Sequence, residues 1–401
     1  MHVVMMENEG VNRNHAISNT FRHLIMCLLL LREKEDISLS VISGANENAP
    51  LGLPQGDVNL FEIDTALYSI PGNLKYSLAA YSKLKQIHRT ASIDIIHARY
   101  PLSSLVAAAW FKKKVCPKTK LVYDLGSPWI DMMGEKFKPL SNPFLKGAGY
   151  GVEALLCRWV DGFSFYNEDI ASHYARRIPR SATRPSICLG FEYNSLAFET
   201  RLFSRTAAAE LRLGEGDIVV GTMSILQRMR EIDFIIEGFA KFKQERHAPG
   251  VKLVIIGDGP ERDSLERLVQ RMDVAEEVRF VGLVDHQVIP EYLSVFNVGI
   301  SHLPDRFAFR VSSPIKLLEY LACGVPVLAS NVRPHQRLND HSSNVFLYEN
   351  NLESFCQALD LLLRDLPQKG EVLKERRLLE ERFGSTAIAQ KHLGLYQRLL
   401  S

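Results

Sequence analysis

The stretch from Ser312 to Ser330, SSPIKLLEYLACGVPVLAS, holds the residues best suited to chemistry. A proline-marked loop leads into an apolar-patterned segment, then a glycine and a run rich in valine. This predicts a short helix over Ile315 to Cys323, stopped at Gly324, and a buried strand after it. The loop of Ser312, Ser313, Pro314 and Ile315 then presents backbone N–H groups at a helix N-terminus, where the macrodipole favours an anion such as a diphosphate. Glu319 falls one turn into that helix, where a carboxylate could accept two hydrogen bonds from a ribose diol. Taken alone, such a glutamate is more often a solvated helix residue. Gly257 and Gly259, in the sequence Gly-Asp-Gly-Pro, follow a hydrophobic run and permit a tight turn at a strand's C-terminal end, the edge where open α/β sheets bind ligands. A plain turn accounts for them equally well. His97 ends another apolar run at the same kind of edge, although an isolated strand-end histidine is more often structural. Gly10 closes the first strand in a turn that lacks the full G-x-G-x-x-G fingerprint, so NAD is not expected.

The elements that must hold these residues alternate. Short Val- and Ile-rich runs are separated by segments of helical periodicity, the pattern of a parallel sheet wrapped by helices. In the first half the strands are expected at His2 to Met6, Ser38 to Ile42, Ile93 to His97, Leu121 to Tyr123, Gly162 to Tyr166 and Ser186 to Leu189. The alternation starts afresh at Ile218 to Met223 and continues through Val251 to Ile256, Val278 to Val281, Val298 to Ser301, Val325 to Ala329 and Asn344 to Leu347. The fold class is therefore α/β with two Rossmann-like domains, residues 1–190 and 191–383. A last helical stretch, 384–401, has no strand after it and is expected to cross back to the first domain.

Beyond these patterns, E-Y-x-A-x-G-x-P-V-x-A from Glu319 to Ala329 is similar to the donor-binding signature of GT-B glycosyltransferases, in particular glycosyltransferase family 4. The segments Val219 to Phe242, Lys252 to Leu268 and Val278 to Pro304 resemble that family's strand-turn-helix units in the right order. Ile93 to Pro101 and Trp159 to Tyr174 resemble its less specific acceptor-side segments. The resemblance implies two domains facing a cleft, a nucleotide-diphosphate sugar (UDP- or GDP-sugar) as donor, Glu319 on the nucleotide ribose, and the base held by backbone groups near Gly282 and Leu283. It also implies a cationic pair on the diphosphate from the loop after the first strand of the second domain. Arg230 falls on one position of that pair; the other falls near Ser224 and Ile225, so Arg228 is the candidate to supply the missing charge. Positive charge there would stabilise a leaving group whose charge grows as the glycosidic bond breaks. Asp124 sits where many relatives have a histidine near the reacting sugar, and with His97 it is the acceptor-side catalytic candidate. Arg99, Gly126 and Trp129 are candidates for the wall beside it. The family's E-x7-E is incomplete, because Val311 stands at its first position; the S-P-x-K of Ser313, Pro314 and Lys316 matches a subset of relatives instead.

Composition narrows the alternatives. The chain has 401 residues, 46% hydrophobic and 23% charged, with a formal net charge of +2. The first 190 residues are the basic part, with 22 Lys and Arg against 17 Asp and Glu. Six scattered cysteines without a C-x-x-C pair suggest neither zinc nor a disulfide framework, and a reducing cytoplasm fits. The apolar run Leu24 to Leu31 is too short to span a bilayer. There is no Asp-x-Asp, so no metal cofactor is expected, and there is no Walker A, H-E-x-x-H or G-x-S-x-G motif. No nucleic-acid-binding tail is visible. The expected activity is a retaining, metal-independent transfer of a sugar to a glycan or lipid-linked acceptor, in polysaccharide or glycoconjugate synthesis. The rivals are a catalytically silent partner of the same fold, or a nucleotide-sugar 2-epimerase. Trp110 and Phe111 beside Lys112, Lys113 and Lys114 raise a further expectation, peripheral contact with anionic lipid at the inner face of the cytoplasmic membrane. A core helix ending in solvated lysines is the competing reading.

Overall fold

The computed structural model describes residues 1–8, 16–45, 58–64, 69–126, 128, 130–131, 142–246, 248, 250–311 and 313–401. Gly10, Trp129 and Ser312 lie outside them. The chain divides into two compact units, Met1–Phe191 with Ser385–Ser401, and Glu192–Gly384.

In the first unit the strands are β1 (His2–Glu7), β2 (Ser38–Gly44), β3 (Asn59–Ile63), β4 (Ile95–Arg99), β5 (Lys120–Leu125), β6 (Gly162–Phe165) and β7 (Ser186–Cys188). They form one sheet in the order β3-β2-β1-β4-β5-β6-β7, with every pairing parallel. Helices on both faces bury such a sheet, which is why β1 and β4 are buried at every position, their polar residues included. The longer helices are α1 (Ala16–Leu29), α2 (Ile70–Thr90), α3 (Leu102–Lys114), α4 (Pro143–Leu156) and α5 (Glu168–Arg177). Strand β3 was not expected from sequence.

In the second unit β8 (Ile218–Met223), β9 (Val251–Ile256), β10 (Val278–Gly282), β11 (Val298–Ser301), β12 (Val327–Ser330) and β13 (Val345–Tyr348) form a parallel sheet in the order β10-β9-β8-β11-β12-β13. Its longer helices are α6 (Ile232–Arg246), α7 (Arg262–Arg271), α8 (Ile315–Ala322), α9 (Leu352–Arg364) and α10 (Arg376–Phe383). The strand order reverses direction between β8 and β11, and the C-terminal ends of strands at such a switch point are where this architecture places ligands.

The last helix, α11 (Ser385–Leu400), belongs to the first unit. Its Ile388, Leu395, Tyr396 and Leu399 join Phe21, Leu24, Ile25 and Leu28 of α1 in one core beneath the sheet. Each large apolar side chain buried this way contributes about 1.5–3 kcal/mol, so the return of the chain is part of what stabilises this unit. The apolar run Leu24 to Leu31 is thereby accounted for as core. Among the described residues no helix is long and apolar enough to cross a membrane.

Candidate functional site

Helix α8 organises the second unit's site. It stops as its sequence requires: Gly324 adopts φ +76, its N–H bonds to the Leu321 carbonyl at 3.0 Å, and the Val325 N–H bonds to the Tyr320 carbonyl at 2.9 Å. Lys316 and Tyr320, one turn apart on α8, both reach the end of β8. The Lys316 ammonium donates to the Met223 carbonyl at 2.6 Å, and the Tyr320 hydroxyl accepts the Met223 N–H at 2.8 Å. Tyr320 reaches that far because Gly299 of β11 lies beneath its ring; a Cβ there would sit 2.6 Å from it. The helix is thus locked to the switch point, with Glu319 on the intervening turn.

Glu319 is buried, and its Oε1 lies 3.3 Å from Nε2 of His286, which follows β10 and packs edge-on to Phe198 at 4.9 Å. Nothing in the sequence singled out His286. Burial, and then the nearby guanidinium of Arg230, pull the Lys316 ammonium down to about 7, with Glu319 opposing them. Burial likewise lowers Arg230, whose guanidinium sits 5.0 Å from the Phe309 ring centroid. Neither cation has an ion-pair partner among the described residues. The Ser313 hydroxyl oxygen, three residues before Lys316, is also buried without a hydrogen-bond partner there. Two cations crowded together and short of counter-charge would bind an anion at little desolvation cost, because burial has already stripped much of their water.

The other expected residues are placed less uniformly. Arg228 and Arg230 share a single 3-10 turn, Arg228–Arg230, in which residues two apart point about 240° around the axis. Arg230 therefore approaches Lys316, whereas Arg228 lines a separate cavity of about 200 Å³ with Asp233, Glu237 and Glu261. Gly257 has φ +128, and a Cβ there would lie 1.9 Å from the Ser224 carbonyl oxygen; one at Gly259 would lie 2.5 Å from that of Leu226. Both glycines thus pack against the loop that carries the arginines. Gly257 also donates its N–H to the Gly282 carbonyl at 2.8 Å. Gly282, at φ +88, has nothing near its Cβ direction, and Leu283 is largely exposed. Pro314 caps α8 without a side-chain bond, and Ile315 begins it. Val311 is a buried apolar residue.

In the first unit His97 and Asp124 come together, but inside the fold. His97 is fully buried and bonded through Nδ1 to the Tyr396 hydroxyl of α11 at 2.7 Å. Arg99 and Asp124 are register partners on β4 and β5, with Nε and Oδ2 at 3.5 Å, and Arg99 also lies 4.0 Å from Glu7. Burial would raise the Asp124 carboxyl, yet His97 and Arg99 hold it down at about 2. Arg99 further donates to the Tyr166 hydroxyl at 2.9 Å. Gly126 is close-packed: a Cβ there would meet the rings of Tyr100 and Tyr166 at 3.0 Å.

Comparison with known proteins assigns the class. Two parallel Rossmann-like sheets with a returning C-terminal helix are the GT-B fold. The chain superposes over 99% of its length on the sucrose-phosphate synthase of Thermosynechococcus elongatus, with TM-score 0.76 and 18% identity over 98% of that structure. HepE of Anabaena, solved with UDP and glucose, matches 98% of this chain and 99% of its own with TM-score 0.72 and 16% identity. Residues 217–365 match the family described as glycosyl transferases group 1. The N-acetyl-alpha-D-glucosaminyl L-malate synthase of Bacillus anthracis is 23% identical over 350 residues, covering 86% of this chain and 85% of the relative. The alpha-monoglucosyldiacylglycerol synthase of Streptococcus pneumoniae is 22% identical over 68% of this chain and 61% of its own. The chain accordingly has the GT-B fold, and its second unit carries the match to glycosyl transferases group 1.

Proposed function

We propose that the second unit binds a UDP- or GDP-sugar and that the enzyme transfers the sugar, with retention and without a metal, to the hydroxyl of a glycan or a lipid-linked sugar. The observation that carries this reading is the convergence of Arg230, Lys316 and Glu319 at the β8/β11 switch point, two under-compensated cations next to a carboxylate. The diphosphate lies against the cations, with Ser313 and the start of α8 around it; Glu319 takes the ribose hydroxyls; and the base rests near Gly282 and Leu283. Negative charge grows on the diphosphate as the glycosidic bond breaks, so Arg230 and Lys316 stabilise the transition state more than the ground state. That same diphosphate accepts the acceptor proton, which removes the need for a strong protein base. The match to a HepE structure holding UDP and glucose is consistent with this donor class, and a relative named for diacylglycerol chemistry is consistent with a lipid acceptor met at the inner face of the cytoplasmic membrane.

A thermal-shift panel of UDP, GDP, ADP and CMP tests the reading, since a ligand that binds only the folded state raises the melting temperature. UDP or GDP should stand out, and donor hydrolysis without acceptor should follow. No response to any nucleotide, with no hydrolysis, would leave only the catalytically silent reading.

A further inference from the structure

Helices α2, α3 and α4 follow β3, β4 and β5, each crossing in the same direction along the parallel sheet. Right-handed crossovers therefore set all three on one face. Contacts between α2 and α3 and between α3 and α4 make them one layer. This layer is unlike an ordinary protein surface in two respects.

Its outside is apolar. Ile70, Leu74 and Leu78 form an exposed stripe on α2; Trp110 is exposed on α3; and Phe144, Leu145, Val152 and Leu155 are exposed on α4, Phe144 at 81%. Helix α4 is turned inside out. Its polar groups point inward: Lys146 and the Tyr150 hydroxyl reach Asp131 at 3.4 and 2.6 Å, and buried Glu153 accepts from the Tyr123 hydroxyl at 2.7 Å. The apolar side chains are left to the solvent side.

Its charge is one-sided. The three helices contain eight Lys and Arg and a single carboxylate, the buried Glu153. Exposed Lys113 lies over the Trp159 ring at 5.1 Å, just past the end of α4, and exposed Arg158 continues the line of Phe144, Ala148, Gly151 and Leu155. Of the aromatic pair singled out from sequence only Trp110 belongs to this surface. Phe111 is fully buried, Trp110 stacks on Tyr81 at 4.5 Å, and Lys112 pairs with Asp161.

We propose that the α2–α3–α4 layer is the docking face of the enzyme for an anionic bilayer, with the apolar side chains of α4 entering the interface and Lys113, Lys114 and Arg158 meeting the headgroups. A protein partner would call for exposed carboxylates or mixed polarity at the rim, and these three helices expose no carboxylate; a bilayer asks for apolar surface bordered by cations and nothing else. The inference rests on the lipid-linked acceptor reading for its use in the cell.

Sedimentation of the full chain with phosphatidylglycerol vesicles, against phosphatidylcholine vesicles, tests it. The protein should pellet with the former and be released by salt. The double variant Phe144→Ser, Leu155→Ser should lower partitioning by at least about tenfold. Lys113→Glu with Arg158→Glu should lower it roughly tenfold at low salt and hardly at high salt. All four side chains are exposed, so melting temperature and donor hydrolysis should stay unchanged. That separates failure of the surface from failure of the donor site. Absence of wild-type binding, or binding by both double variants as strong as the wild type's at low salt, would overturn the proposal. So would a wild-type dimer in sedimentation equilibrium that the Phe144→Ser, Leu155→Ser variant dissociates, since the face would then join two copies of this chain.

Discussion

Both units gather charge at the C-terminal ends of their strands, but they balance it differently. In the first, Arg99 lies between Asp124 and Glu7, with His97 alongside and Tyr166 accepting its hydrogen bond, so the cation is paired inside the fold, and His97 is bonded to Tyr396 of α11. In the second, Arg230 lies near enough to Lys316 to disfavour its charge, Glu319 is the nearby carboxylate, and neither cation has an ion-pair partner among the described residues. A closed buried network fixes a fold, because removing any member strands another charge. An open one is suited to binding an anion.

The largest effect should separate the two. Asp124→Ala leaves Arg99 short of a counter-charge in the core and should cost about 3–5 kcal/mol of stability, read by urea unfolding, while UDP affinity of the folded protein stays the same. The pH dependence has a definite sign. The Asp124 carboxyl titrates at about 2 in the fold against an ordinary value of 3.8, so its contribution is present above about pH 4 and is lost as pH falls toward 2. Asp124→Asn should flatten that part of the stability curve. A marked loss of nucleotide binding in either variant would break the comparison.

Turnover should be the next most sensitive property. Arg230→Ala should lower kcat by roughly 10²–10³-fold, the usual cost of one donor to a developing anion. Arg228→Ala, on the other side of the turn, should cost far less. Equal losses would show that the loop rearranges to bring both arginines to the diphosphate.

The strands that carry the second unit's site were legible, because a parallel sheet buried on both faces writes itself as short Val and Ile runs. β8, β9 and β11 match their expected bounds. Helix α8 was legible through its proline, its apolar period and its glycine stop. Strand β3 was not, being an edge strand with mostly exposed or half-buried residues and hence no continuous apolar run. Helix α4 was hidden by its three glycines, Gly147, Gly149 and Gly151, each of which lowers helix propensity by about 1 kcal/mol, and by an inverted polarity pattern. The pairing of His286 with Glu319 and the divergence of Arg228 from Arg230 depend on a tertiary approach and a 3-10 turn, which leave no periodic trace.

A smaller effect concerns pH at the open site. Burial and then Arg230 hold the Lys316 ammonium down at about 7. A bound diphosphate should raise that value, so donor binding takes up a proton above pH 7, and affinity is greatest below pH 7 and declines as pH rises. A nucleotide sugar is the proper probe, since its diphosphate diester does not itself titrate there. Calorimetry in buffers of different ionisation enthalpy should show the uptake, and Lys316→Met should abolish it. Uptake that survives in Lys316→Met would move the effect to another group.

The most direct measurement compares uridine with UDP by calorimetry in the wild type, Glu319→Ala and Arg230→Ala, or guanosine with GDP if the thermal shifts favour guanine. The wild type should bind the diphosphate much more tightly than the nucleoside. Glu319→Ala should weaken both by about 1.5–3 kcal/mol, the worth of hydrogen bonds to a charged group, whereas Arg230→Ala should weaken the diphosphate and leave the nucleoside unchanged. Unaltered affinities in Glu319→Ala, or an equal loss for nucleoside and diphosphate in Arg230→Ala, would contradict a donor site built from these residues.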